Sequence, residues 1–536
     1  MNMNLADPSN FTFVLFFIKL VLLLAIRFFR STKQKGQLRP GPRGWPVIGN
    51  LVHISLNRHT SWWLHRVMEN MKTEIACFRF ARVHVITVTS SEIAREVVRD
   101  RDEAFADRVE SYSSNLISEG YKDVVFSFYG ERWKLMKKMM VAKLMSPKML
   151  NNSLSDRTLE ADNIVAYVFN LCQLGSTYTK VNVRDITGIY CHAVMMIMIF
   201  GRRHFEEVVT ESGNGLGLGR EEKEHMDAIY KSLDSFFSFN VTDYIPCLRG
   251  WNLNGKEAEV REAVDIINKC NDPIIHERMQ LWRERGGKET EEDWLDILIT
   301  LKDDQGMSLF TFDEIRAQCK DINVAAIDNT MNNVEWTIAE MLNHPEILEK
   351  ATNELDTVVG KDRLVQESDI SQLNYIKACS RESFRLHPVS PFMPPHRARE
   401  DTTLAGYFVP KGSHILVSRL GLGQNPKIWD EPDVFKPERH LDGHGGNSIN
   451  VSLMEPDMRL VTFGTGRRGC IGSKIGTSMT IMLLARLLQG FEWSHLPGTS
   501  KVDLFPADPN SFTAKSLVAS VKPRLAQRMY PKVQRK

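Results

Sequence analysis

The sequence contains no C-x-x-C pair. Its eight cysteines, Cys77, Cys172, Cys191, Cys247, Cys270, Cys319, Cys379 and Cys470, are scattered, and the closest two are Cys172 and Cys191. This spacing argues against a zinc cluster or a dense disulfide framework. All but Cys470 are expected to be small buried hydrophobes in a reducing compartment. Charge of one sign is equally scarce: no long single-sign run occurs and the net charge is only +2, too little to suggest nucleic acid as a partner. Phosphate-binding loops are missing too. The one glycine run, GNGLGLG at 213–219, follows no strand and has the wrong spacing, so it reads as a surface loop. Internal repeats are absent. What the chain does have is 536 residues of globular composition, 43% hydrophobic and 25% charged, enough for a large core in one big domain or two.

One long hydrophobic run stands out, FTFVLFFIKLVLLLAI from Phe11 to Ile26, with Arg27, Arg30, Lys33 and Lys35 behind it. Basic residues after the run favour a membrane anchor over a cleaved signal peptide. The run reaches about 24 Å, so Phe28 and Phe29 must join it and Arg27 snorkel to cross the hydrocarbon. The positive-inside rule then puts the rest of the chain in the cytosol, which leaves the sequons at Asn240 and Asn450 silent. Behind the anchor, LRPGPRGWPVIGN is stiffened by Pro40, Pro42 and Pro46. The chain therefore divides into an anchor over 1–30, a basic, proline-rich hinge over 31–50 and a single body over 51–536.

Within the body, apolar residues recur with helical spacing, as from Asn163 to Leu171 and from Ala258 to Ile267. Strand-like pieces are short: HVITVT near 84–89, and LAGYFVPKGSHILVS, where Pro410, Lys411 and Gly412 are expected to turn a hairpin. The fold class is mainly α with a small β region. Thr311 and Glu314 form a capping-box signature that opens a proline-free helical pattern to Asn343. Its centre, VAAIDNTMNN, crowds Asp328, Asn329, Thr330, Asn332 and Asn333 between apolar turns, as a helix walling a proton-handling site would. A second pattern, from Asp369 or Ser371 to His387, carries Glu382 and Arg385 as E-x-x-R, a weak signal alone. FKPERHL follows with Pro437, Glu438 and Arg439.

The stretch FGTGRRGCIG at 463–472 surrounds Cys470 with glycine and positive charge. A metal-bound thiolate needs closely approaching backbone, donors for its charge and a helix N-terminus. Gly466, Gly469 and Gly472 allow the approach. The run SKIGTSMTIMLLARLL supplies the helix, and Arg468 is placed to pair with an acidic group of a cofactor.

This stretch resembles the haem-binding signature F-x-x-G-x-R-x-C-x-G of the cytochrome P-450 monooxygenases, through Phe463, Gly466, Arg468, Cys470 and Gly472. The E-x-x-R pair, the PER tripeptide, the proline hinge and the anchor fall in that family's order, so the resemblance spans nearly the whole chain. It implies the family's helical prism, haem b with Cys470 as axial thiolate, dioxygen as co-substrate, and electrons from NADPH through NADPH-cytochrome P-450 reductase at the endoplasmic reticulum membrane. It further implies a structural network of Glu382, Arg385 and Arg439. Trp133 and Lys137, matching W-x-x-x-R/K, would contact the haem propionates with His396 and Arg468. Arg132, Lys134, Lys138, Arg467 and Lys474 would form a docking face for an acidic reductase.

Where the family usually has A/G-G-x-D/E-T-T/S in its long helix, this chain has Ala325, Ala326, Ile327, Asp328, Asn329 and Thr330, so asparagine replaces the proton-delivering threonine. That departure, with AAIDNTMNNVEW, TEIACF, DWLDILITLKD, NPKIWDEP and TGRRGC, resembles the plant amino-acid N-hydroxylating branch. The resemblance implies two N-hydroxylations of an L-amino acid, then dehydration and decarboxylation to an aldoxime, in glucosinolate or cyanogenic metabolism. A hydrophobic or aromatic substrate such as phenylalanine is expected, with an aliphatic one close behind. Ala325, Ala326, Phe392 and Met393 are the expected pocket residues, and the loop at 111–123 its cover. Met393 stands where the branch often has asparagine, and Gly464 where it commonly has serine. The alternatives are a carbon-hydroxylating enzyme of the same family, a haem-thiolate isomerase or dehydratase, and a catalytically inactive haem-binding membrane protein.

Overall fold

Thr311 and Glu314 close their capping box reciprocally: the Thr311 N–H donates to Glu314 Oε2 at 2.9 Å and the Glu314 N–H to Thr311 Oγ1 at 3.3 Å. The helix they open organises the body. The computed structural model describes residues 40–57, 59–174, 178–203, 208–209, 216–217, 219–253, 255–284, 290–441, 450–454, 458–507 and 514–534. The expected anchor over 1–30 and the first part of the hinge lie outside the described residues, as does most of the glycine run at 213–219.

The helices that position the site are α1 (Glu131–Met139), α2 (Leu154–Leu174), α3 (Val183–Phe200), α4 (Arg220–Phe237), α5 (Lys256–Glu284), α6 (Phe312–Asn343), α7 (Asn374–Leu386) and α8 (Ser473–Gly490). The 32 residues of α6 span about 48 Å. It packs along α3 on one side and against α7 and α8 on the other, with α4 and α5 alongside. α3 is apolar on nearly every face. It is long and apolar enough to cross a membrane, but 89% of it is buried inside the body, so it serves as a core helix.

Two expectations about element boundaries need correcting. α7 begins at Asn374 rather than at Asp369 or Ser371, because residues 367–372 form a 3₁₀ turn whose Asp369 caps Gln366 and pairs with Arg363 at 2.6 Å. A neighbouring carboxylate, Glu354, then accepts the first N–H groups of α7 from Tyr375 and Ile376. The hairpin is also turned elsewhere. Thr402–Leu404 pairs with Tyr407–Val409 through Ala405 and Gly406, both at positive φ. Pro410, Lys411 and Gly412 instead carry the chain into another sheet, where His414–Val417 lies parallel to Val83–Val88.

That sheet has the order Ile75–Phe80, Val83–Val88, His414–Val417, His396–Arg397, Asp107–Arg108. Its short last strands set Arg108 opposite His396. The end of the hinge is fastened to its first strand: Asn50 Oδ1 accepts the Arg79 N–H at 2.9 Å, and the Arg79 guanidinium donates to the Trp45 carbonyl. The eight cysteines are all unpaired, and most are buried or half-buried. Cys247 is exposed, contrary to expectation, because it lies in a short 3₁₀ turn at the surface rather than on an apolar face. Asn240, by contrast, is buried and caps a turn through the Thr242 N–H, so its sequon is out of reach.

Candidate active site

The Cys470 loop is made by backbone that only glycine tolerates well. Gly464 and Gly466 have φ of +63° and +66°, and a Cβ on Gly466 would sit 2.1 Å from the Val98 carbonyl oxygen. The Cys470 N–H donates to the Phe463 carbonyl at 2.8 Å, closing the loop, and α8 starts three residues later. Cys470 keeps exposed surface although protein surrounds it enough for burial to raise its thiol pKa. A residue lining an internal cleft behaves this way. The Gly472 N–H, Arg419 and Lys137 oppose the burial effect and favour the thiolate.

Beside the loop lies a surplus of buried and half-buried cations. Arg468 stacks its guanidinium 4.3 Å from the Trp133 ring and donates to the carbonyls of Ala106, Val124 and Ser127. Trp133 is itself fixed by an Nε1–H bond to the Val124 carbonyl, and Lys137 donates to the carbonyls of Arg467 and Gly469. Burial, and then the charge of Arg108, lowers Arg468 to about 8; burial, Arg468 and Arg108 lower Lys137 to about 8. His396 is pushed down to about 3 by burial and by Arg108; its Nδ1–H donates to the Phe105 carbonyl while Nε2 is buried with no partner among the described residues. The nearby carboxyls do not balance this charge, since burial raises Asp123 to about 7 and Asp321 well above its ordinary range. Arg108 was not singled out from the sequence. It joins the cluster only through the pairing of two-residue strands, which no local pattern announces.

Beneath, Glu382 and Arg385 meet in a bidentate pair at 2.7 and 2.9 Å, both fully buried. Arg439 Nε adds a third bond at 3.0 Å, and His440, also not foreseen, a fourth at 2.7 Å. Burial alone would raise the Glu382 carboxyl, but bonds from His440 and Arg385 outweigh it and hold it at about 2. Arg385 also donates to the carbonyls of Gly423, Pro432 and Val434, so the pair ties α7 to the segment preceding the Cys470 loop.

On the opposite wall, α6 turns its three polar candidates in three directions, as steps of about 100° require. Asp328 faces α3: Asn332 donates to it at 2.9 Å, and burial, resisted by Arg184, raises it to about 6. Thr330 faces α8, 3.5 Å from Thr480 Oγ1. Asn329 alone shares the less buried face with Ala325 and Ala326. Its Nδ2 donates to the Ala325 carbonyl, which leaves Oδ1 without a partner among the described residues.

A pocket opens nearby between Phe126, Phe236, Phe239, Tyr244, Phe392 and Met393, with Arg108, Ser111 and Asp243 at its polar points. Residues 111–123 are not an open loop. They hold the short helix Tyr112–Ile117 and then Glu119, which accepts from Arg316 at 2.7 Å and from Lys320, both on α6. The two departures at Met393 and Gly464 are neighbours, for a Cβ on Gly464 would lie 2.9 Å from Met393 Cε.

The model of the cytochrome P450 family matches residues 39–522. The chain is a cytochrome P-450. It is 50% identical to dihomomethionine N-hydroxylase of Arabidopsis thaliana over 99% of both chains. It is 47% identical to tyrosine N-monooxygenase of Sorghum bicolor over 92% of this chain and 88% of that one, and 46% identical to a phenylalanine N-monooxygenase of Prunus mume over 94% and 93%. Among solved structures, a zebrafish cytochrome P-450 with abiraterone superimposes with a TM-score of 0.70 at 23% identity, over 87% of this chain and all of that one, a likeness of fold.

As a cytochrome P-450 monooxygenase, the protein uses haem b, dioxygen and reductase-derived electrons. The residues fit the group. Cys470 offers an accessible sulfur, and buried Arg108 with half-buried Arg468 and Lys137, none of them paired with a carboxylate among the described residues, call for anions such as two haem carboxylates. The expected docking face of this cytochrome P-450 is mixed rather than purely basic. Arg132 pairs with Glu314, Lys134 with Glu131, and Arg467 with Asp102 and Glu103, while Lys138 and Lys474 are exposed.

Proposed function

We propose that this cytochrome P-450 N-hydroxylates an L-amino acid with a bulky apolar side chain twice and releases the aldoxime. The observation that carries the reading is the likeness, over nearly the full length, to enzymes whose names specify hydroxylation at an amino-acid nitrogen. The aromatic lining of the pocket suits such a side chain. Each hydroxylation consumes one dioxygen, two electrons and two protons and yields one water; loss of a further water and carbon dioxide leaves the carbon–nitrogen double bond of the oxime.

Haem b supplies the oxidising chemistry on dioxygen. Cys470 would hold its iron through the thiolate, with Phe463, Gly466 and Gly472 shaping the loop. Lys137, Arg468 and also Arg108 would hold the propionates, with Trp133 stacked against Arg468 and His396 paired across from Arg108 as their support, and Glu382, Arg385 and Arg439 hold the core beneath. Asn329 takes the place of the usual threonine. An amide Oδ1 can only accept a hydrogen bond, so it orients a water whose proton is delivered rather than giving up its own. Asp328 and Thr330, facing other helices, support α6. Residues 1–30 anchor the enzyme in the endoplasmic reticulum membrane with the body in the cytosol, and the cations near Lys138 and Lys474 receive NADPH-cytochrome P-450 reductase.

The test is a titration of the ferric holoprotein with single amino acids, read in the Soret band, followed by turnover with reductase and mass analysis of the product. A spectral shift and an oxime mass support the proposal. Carbon-hydroxylated product from another small molecule, with no response to any amino acid, would favour the alternative oxygenase. In turnover, Asn329→Ala is expected to lower product formed per NADPH several-fold while Thr330→Ala leaves it near wild type; equal effects would remove Asn329 from proton delivery.

A further inference from the structure

Arg419 lies two residues past the strand His414–Val417, at the start of a turn that Ser418 caps through the Gly421 N–H at 2.7 Å. Its side chain bridges two segments. Nη1 donates to Ser390 Oγ at 2.9 Å and to the Phe392 carbonyl at 3.4 Å, on the stretch that carries Phe392 and Met393 into the pocket wall. Nε and Nη2 donate to the carbonyls of Val461 at 3.3 Å and Thr462 at 3.4 Å, immediately before Phe463 and the Cys470 loop. The backbone reinforces the bridge, since the Arg419 N–H donates to the Pro391 carbonyl at 2.9 Å. With Phe384, Pro388, Val389 and Leu460, Arg419 also lines a small cleft behind the loop.

No carboxylate lies within ion-pair distance of this guanidinium among the described residues, although most other enclosed arginines have one, as Arg385 and Arg157 do. Its donors are spent instead on one hydroxyl and three carbonyls, so the side chain acts as a brace between two segments and not as half of an ion pair.

We infer that Arg419 is a positioning residue: its forked bonds lock the pocket wall at 390–393 to the Cys470 loop, so that the wall keeps its place relative to the haem site. The inference rests on Cys470 being the iron ligand, and not on which amino acid is oxidised. A lysine keeps the charge but cannot span both segments with a planar fork.

The experiment compares wild type, Arg419→Lys and Arg419→Met as haem-loaded proteins in two readouts: the carbon-monoxide Soret band and the spectral Kd for the amino acid. Both variants are expected to keep the thiolate band and to weaken amino-acid binding several-fold, Arg419→Met the more. An unchanged Kd in both would overturn the bridge. If neither variant loads haem, Arg419 is a folding residue and the inference fails. A wild-type protein without a thiolate band would instead overturn the ligand assignment itself.

Discussion

Around and beneath Cys470, the atoms are held from several directions at once: glycines in left-handed backbone, and a bidentate Glu382–Arg385 pair with a further partner in His440, these three out of contact with water. Across the pocket, the wall comes from aromatic side chains on separate segments, Phe126 near α1, Phe236 at the end of α4 and Phe392 after α7, with few polar groups among them. The first arrangement holds chemistry that does not change with the substrate; the second need only exclude water and match a shape. Polar networks are unforgiving because a lost partner strands a buried charge, whereas an apolar wall can lose a contact and repack.

The most complete break of the thiolate side is Cys470→Ser, expected to abolish both the thiolate Soret band with carbon monoxide and all product formation. Glu382→Ala should come next. It leaves Arg385 and Arg439 enclosed without their anion, a loss of about 3–5 kcal/mol, seen as a much lower urea midpoint or as no recoverable holoprotein. A midpoint within error of wild type would mean that the network contributes no stability. No single truncation among the pocket rings, such as Phe236→Ala, should match it, since exposed or repacking sites lose less than fixed buried charges.

Acid should separate the network beneath Cys470 from the centre of α6 by sign. Glu382, held near 2, stabilises the fold fully above its ordinary value of 4.5 and loses that contribution as pH falls toward 2. His440, lowered to about 4 chiefly by burial, is kept neutral by the fold, so stability falls as pH drops from 6.5 toward 4. Each shift is worth about 3 kcal/mol. Asp328 runs the other way. Burial raises it to about 6, so the fold favours its protonated form, and the contribution present below its ordinary 3.8 is lost as pH rises through 6. Relative to His440→Gln, wild type should therefore weaken as pH falls from 6.5 to 4; relative to Asp328→Asn, it should weaken as pH rises from 4 to 6. Urea unfolding across that range checks both slopes, and a slope of the wrong sign would reverse the assignment of that group.

What was legible in the sequence was local. The capping box of α6, the E-x-x-R spacing on one turn of α7 and the glycine pattern around Cys470 are each complete within a few residues, so the chain itself states them. Arg108, Arg419 and His440 belong to the site only because strand pairing and loop packing bring in residues from far along the chain, and no short pattern encodes that. The hairpin was misplaced for a similar reason: Pro-Lys-Gly is a sound turn signal, but the parallel pairing of His414–Val417 with Val83–Val88 claims the strand that would have completed the hairpin. The directions of Asp328, Asn329 and Thr330 depend on which face of α6 its neighbours bury, and a centre polar on several sides does not declare it.

The smallest effect is expected where the two regions touch. Gly464 stands on the Cys470 loop and Met393 on the pocket wall, and only the missing Cβ lets Met393 Cε occupy the space between them. Serine at 464 would pay about 1–2 kcal/mol for its left-handed backbone and push the methionine toward the substrate. Asparagine at 393 would vacate the space but put an amide where thioether packing now seals the wall. The single changes Gly464→Ser and Met393→Asn should each weaken amino-acid binding. Together they should cost less than their sum by about 1 kcal/mol, because the serine then meets no methionine and its hydroxyl can bond the amide. A double-mutant cycle on the spectral Kd measures that coupling. Strict additivity would mean that the loop and the wall vary independently at these two positions; positive coupling means that the thiolate side, otherwise fixed by its chemistry, reaches the substrate through this contact as well as through the Arg419 bridge.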